Sequence, residues 1–236
     1  MKKIFYPSAE RGKGSYGWLE TFYSFSFSHY YNPQKIHFGA LRVLNDDTVA
    51  GGTGFSTHPH DNMEIVTIVL EGALAHQDST GRGEVIRANE VQIMSAGKGI
   101  YHSEKNADSH KPVKLLQIWV FPKEKNIEPR YEQRLFEPTT FKNQLVTVVA
   151  PDKPEALWIN QDAFFVLGNL EKGFQTSYQP QKSQNGVYAF VIEGDVLVGG
   201  EKLQKRDALG VWELENLEIE ALTETKLLLI DIPMQA

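Results

Sequence analysis

The sequence predicts an all-β chain built from two antiparallel barrel or jelly-roll units, and three observations lead there. Short apolar segments rich in Val, Ile, Leu and aromatic residues recur along all 236 residues, separated by Gly, Asn, Asp or Pro, as strands and turns are. Long amphipathic helical stretches are scarce, and many closely spaced strands favour a sandwich or barrel. An apolar motif also returns: Ile68-Val-Leu-Glu-Gly72-Ala-Leu in the first half reappears as Phe190-Val-Ile-Glu-Gly194-Asp-Val in the second.

Taken in order, the predicted strands cover residues 38–44, 63–70, 73–77, 91–95, 115–121, 144–149, 187–192, 196–199 and 226–232. In the repeated motif the glycine supplies the turn between two strands. Two similar β units, 1–135 and 136–236, account for the recurrence, with the Pro-containing stretch 123–138 as the connection. The alternating Phe and Ser of residues 22–28 are expected to put Phe22, Phe25 and Phe27 in the core, with Trp18 and Trp119, and Ser24, Ser26 and Ser28 on a wetter face.

Composition bounds the chemistry. At 41% hydrophobic the chain can bury a substantial core, and its formal charge of −6 with a pI near 5.7 argues against a direct nucleic-acid binder or a protein held on an acidic membrane. Absence of cysteine removes disulfides, thiolate zinc sites and thiol nucleophiles, so any metal must be bound through nitrogen and oxygen. The N-terminus lacks an apolar run long enough for a signal segment, and no stretch is apolar enough to span a bilayer, so a soluble, cytoplasmic protein is expected.

Two short stretches hold three of the seven histidines: Thr57-His58-Pro59-His60-Asp61-Asn62-Met63-Glu64, and Gly99-Ile100-Tyr101-His102-Ser103-Glu104. Side chains at i and i+2 of an extended segment share a face, so His58 and His60 point one way, and so do His102 and Glu104. If the two segments face each other across a barrel, three imidazoles and a carboxylate converge as an N3O set suited to first-row metals. Glu64 has the same parity and competes for the fourth position, although a regular strand would carry it about 13 Å beyond His60. Its other expected role is to orient a histidine from behind.

The pattern Gly52-x5-His58-x-His60-x3-Glu64 resembles the first cupin motif, and Gly99-x2-His102-x3-Asn106 the end of the second. Two turn positions depart from it, with Gly97 where a proline is usual and Val91 where a glycine is usual. Phe25-Ser-Phe-Ser-His-Tyr-Tyr-Asn-Pro33, Phe55-Ser-Thr-His-Pro-His60, Gln92-Ile-Met-Ser-Ala-Gly-Lys-Gly-Ile100-Tyr-His-Ser-Glu104 and Gln117-Ile-Trp-Val120 narrow the resemblance to the pirins, over essentially the whole chain.

The resemblance implies a bicupin whose N-terminal unit holds one divalent metal on His58, His60, His102 and Glu104, and so excludes Glu64. The implied ion is iron first, with zinc, copper, nickel, cobalt or manganese as alternatives. It also implies a C-terminal cupin without a metal site, and there is no histidine after His110. The implied function is that of the bacterial pirin-like quercetin 2,3-dioxygenases, which open the flavonol ring with O2 and release CO. In that scheme Glu104 is the catalytic proton acceptor, and the partners are a flavonol-like small molecule and O2. A metal-dependent regulatory pirin that acts through a protein partner without turnover is the alternative.

Other residues read as structure. Gly12-Lys-Gly14-Ser-Tyr-Gly17 matches a dinucleotide-binding fingerprint in letters only, because neither a preceding strand of useful length nor a following helix pattern accompanies it. His29 and His37 are expected to be packed, His76 to border the pocket and His110 to be solvated.

Overall fold

A computed structural model describes residues 1–235, which form twenty-one strands and two short 3-10 turns. Among the described residues no helix is long and apolar enough to cross a membrane. Named strands pair antiparallel throughout.

The first barrel has a seven-stranded and a four-stranded sheet. In spatial order the larger holds β12 (Arg130–Leu135), β9 (Glu90–Ser95), β6 (Glu64–Glu71), β11 (Val113–Val120), β4 (Leu41–Val49), β3 (Leu19–Tyr23) and β2 (Gly12–Ser15). The smaller holds β5 (Gly54–His60), β10 (Ile100–Asn106), β7 (Ala73–Asp78) and β8 (Gly83–Arg87). In the second barrel a six-stranded sheet runs β1 (Lys2–Tyr6), β19 (Ala208–Trp212), β16 (Asn185–Glu193), β21 (Thr225–Pro233), β14 (Phe164–Leu170), β13 (Leu145–Val149). It faces β15 (Gln175–Tyr178), β20 (Leu217–Ala221), β17 (Val196–Val198) and β18 (Glu201–Leu203).

The repeated motif occupies matching places. Gly72 turns β6 into β7 and Gly194 turns β16 into β17, with φ of 80° and 86°, a conformation that favours glycine. One strand crosses between the halves: β1 pairs with β19 from Lys2 opposite Trp212 to Tyr6 opposite Ala208, so the second barrel's sheet includes the chain's first residues. A division at residue 135 leaves that crossing out.

The large sheets of the two barrels pack against each other, and their central strands are buried on both faces. On β11, Leu116, Ile118 and Val120 join the cluster between the barrels, whereas Leu115, Gln117 and Trp119 have the opposite parity and face the first barrel's interior. On β21 the alternation is Leu228, Ile230 and Ile232 between the barrels, Leu227 and Leu229 inside the second. Double burial is why these strands read as unbroken apolar runs.

The two interiors differ in chemistry. Aliphatic side chains such as Val187, Val191, Val196, Leu209, Ile219 and Leu229 fill the second barrel. In the first, apolar clusters around Leu74 and Val113 and around Ile65 and Met94 lie apart, and the polar residues of the site stand on the strands that carry them.

Ser24 and Ser26 are buried, contrary to the expected wet face, because strand geometry ends at Tyr23 and the alternation ends with it. Ser26 instead ties its loop through its hydroxyl to the backbone of Asn32.

Candidate metal centre

The site is set on two adjacent strands of the small sheet. β5 and β10 pair with Ile100 opposite His60 and His102 opposite His58, after which the register shifts so that Glu104 meets Phe55. Three steps on β5 answer two on β10, a bulge that places the extra residue between Phe55 and His58. It restores Phe55 to the inward face despite its odd spacing from the histidines, and Phe55 lines the same cavity. On β10 the alternation is regular: Ile100, His102, Glu104 and Asn106 are buried, Tyr101 and Lys105 exposed.

Each pair predicted by strand parity therefore faces inward, and the two pairs meet. Imidazole nitrogens of His58, His60 and His102 lie within 4.8 Å of one another. Glu104 offers a carboxylate oxygen within the same span of His102, but in a second group, with His76. The Nε2 atoms of His58 and His102 are 3.0 Å apart. Since the Ser56 carbonyl can only accept, the Nδ1–H of His58 donates to it at 2.8 Å, which leaves Nε2 pointing toward His102.

Burial favours the neutral form of His60 and of His102. It pushes His60 down to about 4, helped by neighbouring His58 and opposed by Asp61. It pushes His102 down to about 3, with His58, His60 and His76 adding to the effect and Asp78 opposing it. Neutral imidazoles converging on one space are what a first-row divalent ion takes, and the residues present fit such an ion.

Glu104 is 3% exposed, and burial pushes it up to about 7 while its hydrogen bond with Gln117 pulls the other way. Gln117 Nε2 donates to both oxygens, at 3.2 and 3.0 Å, and Gln117 Oε1 accepts from Thr67 Oγ1 at 3.0 Å. This chain, from β6 through β11 to β10, fixes the carboxylate plane.

The four predicted residues line a cavity of about 570 Å³, well within the range of small-molecule sites. Trp18, Phe27 and Trp119, expected as core filling, instead join Phe55 as its apolar walls; Trp18 meets Phe55 edge-on at 5.0 Å, and Phe27 meets Trp119 so at 5.2 Å. Across from the histidines, Asn45 and Asp47 of β4 also line it.

Several expectations need correction or extension. Glu64 is fully buried on β6, but Ser95 Oγ and the Asn160 backbone N–H donate to its Oε2, so it neither joins nor orients a histidine. His76 does not line this cavity: it is 2% exposed, donates from Nε2 to Asp78 Oδ2 at 3.1 Å, and stands behind the site, 5.3 Å from His102 ring to ring. His29 and His37 are both exposed rather than packed, although His37 bonds the Gly39 carbonyl at 2.8 Å, and His110 is solvated as expected. Sequence reasoning missed Asn45, Asp47 and Gln117. Their signal was a polar side chain at alternate positions of otherwise apolar strands.

Gly97, at the position where the cupin pattern has proline, has φ of 50°, and a side chain there would collide with the Ile127 carbonyl oxygen. Proline cannot adopt that φ, so the departure follows from the turn itself.

Comparison with known proteins agrees over the whole chain. The family model described as Pirin matches residues 6–120, and that described as Quercetinase C-terminal cupin domain matches residues 147–232. Quercetin 2,3-dioxygenase of Escherichia coli K12 is 43% identical over 225 residues, covering 95% of this chain and 96% of that one. A pirin-like protein of Caulobacter vibrioides is 37% identical, covering 95% and 97%. Among solved structures, YhhW from Escherichia coli superposes with a TM-score of 0.94 at 40% identity over the full length of both chains. The nickel(II) complex of bacterial pirin YhhW gives a TM-score of 0.93 at 40% identity, covering 98% and 99%.

Proposed function

This chain belongs to the pirin family, and on that premise we propose that it is a quercetin 2,3-dioxygenase whose metal is held by His58, His60, His102 and Glu104. The observation that supports this best is the convergence of three imidazoles, with a buried carboxylate beside one of them, on a cavity walled by aromatic rings. Iron and nickel both suit an N3O set, and nickel is the ion in the complex of the Escherichia coli pirin.

The metal supplies Lewis acidity toward the oxygens of a chelating flavonol. Glu104 accepts the proton of the flavonol 3-hydroxyl on a carboxylate oxygen, and Gln117 holds that carboxylate in place from both oxygens. His58 is locked in one tautomer by the Ser56 carbonyl, so its orientation is set before any ligand arrives. Trp18, Phe27, Phe55 and Trp119 pack against the flat rings and keep water from the reacting carbons. The reaction cleaves two carbon–carbon bonds of the heterocycle, consumes O2, releases the carbon between those bonds as CO and leaves an ester of the two remaining aryl fragments.

Protein loaded with Ni(II) or Fe(II) should bleach quercetin while consuming O2 and releasing CO in equal amounts. His58→Ala and Glu104→Ala should lose both bound metal and bleaching. A full complement of metal with no turnover across quercetin and other flavonols would overturn the enzymatic reading and favour a metal-dependent regulatory role.

A further inference from the structure

Two side chains in the cavity have no part in holding the metal or its carboxylate. Asn45 and Asp47 lie on the inward face of β4, 5% and 4% exposed, and both line the space in front of the histidines. Each leaves its Oδ1 buried without a hydrogen-bond partner. The nearest side-chain amide on the neighbouring strand cannot serve them, because Gln117, opposite Asn45 in the β4–β11 register, is committed to Glu104 and Thr67.

Two polar side chains set side by side in the lining of a cavity, with no hydrogen-bonding partner across it, are complementary to a ligand that brings hydrogen-bonding groups of its own. Trp18, Phe27, Phe55 and Trp119 line the same cavity, and such walls suit a flat aromatic ring. We propose that Asn45 and Asp47 form the specificity wall of the site, accepting hydrogen bonds from phenolic hydroxyls of the substrate so that polyhydroxylated aryl compounds are selected over bare ones. The inference rests on the flavonol reading, which it deepens by assigning the residues that recognise ring hydroxyls away from the metal.

Physical argument sets the direction of selection. A hydroxyl that meets Asp47 adds a hydrogen bond on the cavity side of a carboxyl that otherwise has only the Thr21 hydroxyl beside it, whereas a ring without hydroxyls leaves both polar side chains desolvated beneath it. Sites of this kind reject an analogue lacking the group more strongly than apolar pockets reject an extra one. Burial disfavours the charged form of Asp47 and the charges of Asp46 and Glu104 add to that, while the Thr21 hydroxyl opposes it. A neutral Asp47 would still present an acceptor oxygen, so the wall does not depend on its charge.

The test separates binding from turnover. Trp18 and Trp119 line the cavity, so quenching of tryptophan fluorescence should report binding to metal-loaded protein. Titrations with quercetin, galangin, which lacks the pendant-ring hydroxyls, and 3-hydroxyflavone, which has only the chelating one, are compared for wild type, Asn45→Ala, Asp47→Ala and Asp47→Asn. Wild type should bind quercetin at least tenfold more tightly than 3-hydroxyflavone, with galangin showing which ring meets the wall. Asn45→Ala and Asp47→Ala should shrink that ratio toward unity with metal content and Tm retained, and Asp47→Asn, which keeps an acceptor of the same shape, should largely preserve it. An absent wild-type ratio, or one that survives both alanine variants, overturns the proposal. Selective binding that disappears in the variants, without any bleaching of quercetin, would keep the wall and overturn the dioxygenase reading instead.

Discussion

Gln117 shows how one amide can set the quality of a metal site without touching the metal. Its side chain is 8% exposed and spans from Thr67 on one strand to both oxygens of Glu104 on another. With Glu104 as the fourth donor, Gln117→Leu should leave the histidines in place but free the carboxylate to rotate. Weakening of Ni(II) affinity by about 10- to 100-fold is expected, read by competition with a chromophoric chelator. Circular dichroism should stay unchanged. The histidine pairs were legible in the sequence because parity along a strand is local, and His58 with His60 obeys it whatever else the chain does. Gln117 and Asp47 were not legible as site residues, because their meaning depends on which strands lie beside β10 and across the cavity. His76 is intermediate: its position was noticed, but its place beside His102 and Glu104 comes from the β7–β10 pairing, where it stands opposite Glu104.

Among the elements, several strands found from sequence are buried on both faces, such as β6, β11, β16 and β21, whose apolar runs are long enough to stand out, although β14 and β19, buried likewise, were overlooked. Those overlooked include β5 and β10, the two that carry the site. Their inward faces hold histidine and glutamate in place of aliphatic residues, and their outward faces meet solvent, so neither face registers as apolar. Functional chemistry erased the pattern that would have announced the strands. The turn into β10 repeats the lesson, since Gly97 breaks the expected motif for a backbone reason. Gly97→Ala combines a left-handed φ with a collision against Ile127 and should cost about 2–3 kcal/mol of stability in urea denaturation. Moving that turn would also displace His102, so metal affinity should fall with it.

For the whole molecule, the largest apolar cluster belongs to neither barrel alone but to the seam between their large sheets, and β1 and Glu64 reinforce it from opposite directions. Glu64 Oε2 on β6 accepts from Ser95 of its own barrel at 2.7 Å and from the Asn160 backbone N–H, beyond the connection, at 3.2 Å. Burial nonetheless pushes its carboxyl from 4.5 up to about 7, the bonds from Ser95 and Asn160 and the charge of Arg130 acting against burial without cancelling it. A folded value above the unfolded one means that the native state holds the proton more tightly, so this group's contribution is fully present below pH 4.5 and is lost as pH rises through 7. The shift corresponds to roughly 3 kcal/mol. Glutamine at this position keeps an oxygen for Ser95 and Asn160 and carries no proton to lose. The difference in unfolding free energy between Glu64→Gln and wild type, measured in urea on metal-free protein from pH 4.5 to 8, should therefore grow in favour of the variant as pH rises. Taking that difference cancels the titrations of Asp47 and Glu104, which are common to both proteins. A flat difference would mean that Glu64 is ionised in the native seam at neutral pH, with its two donors and Arg130 outweighing burial.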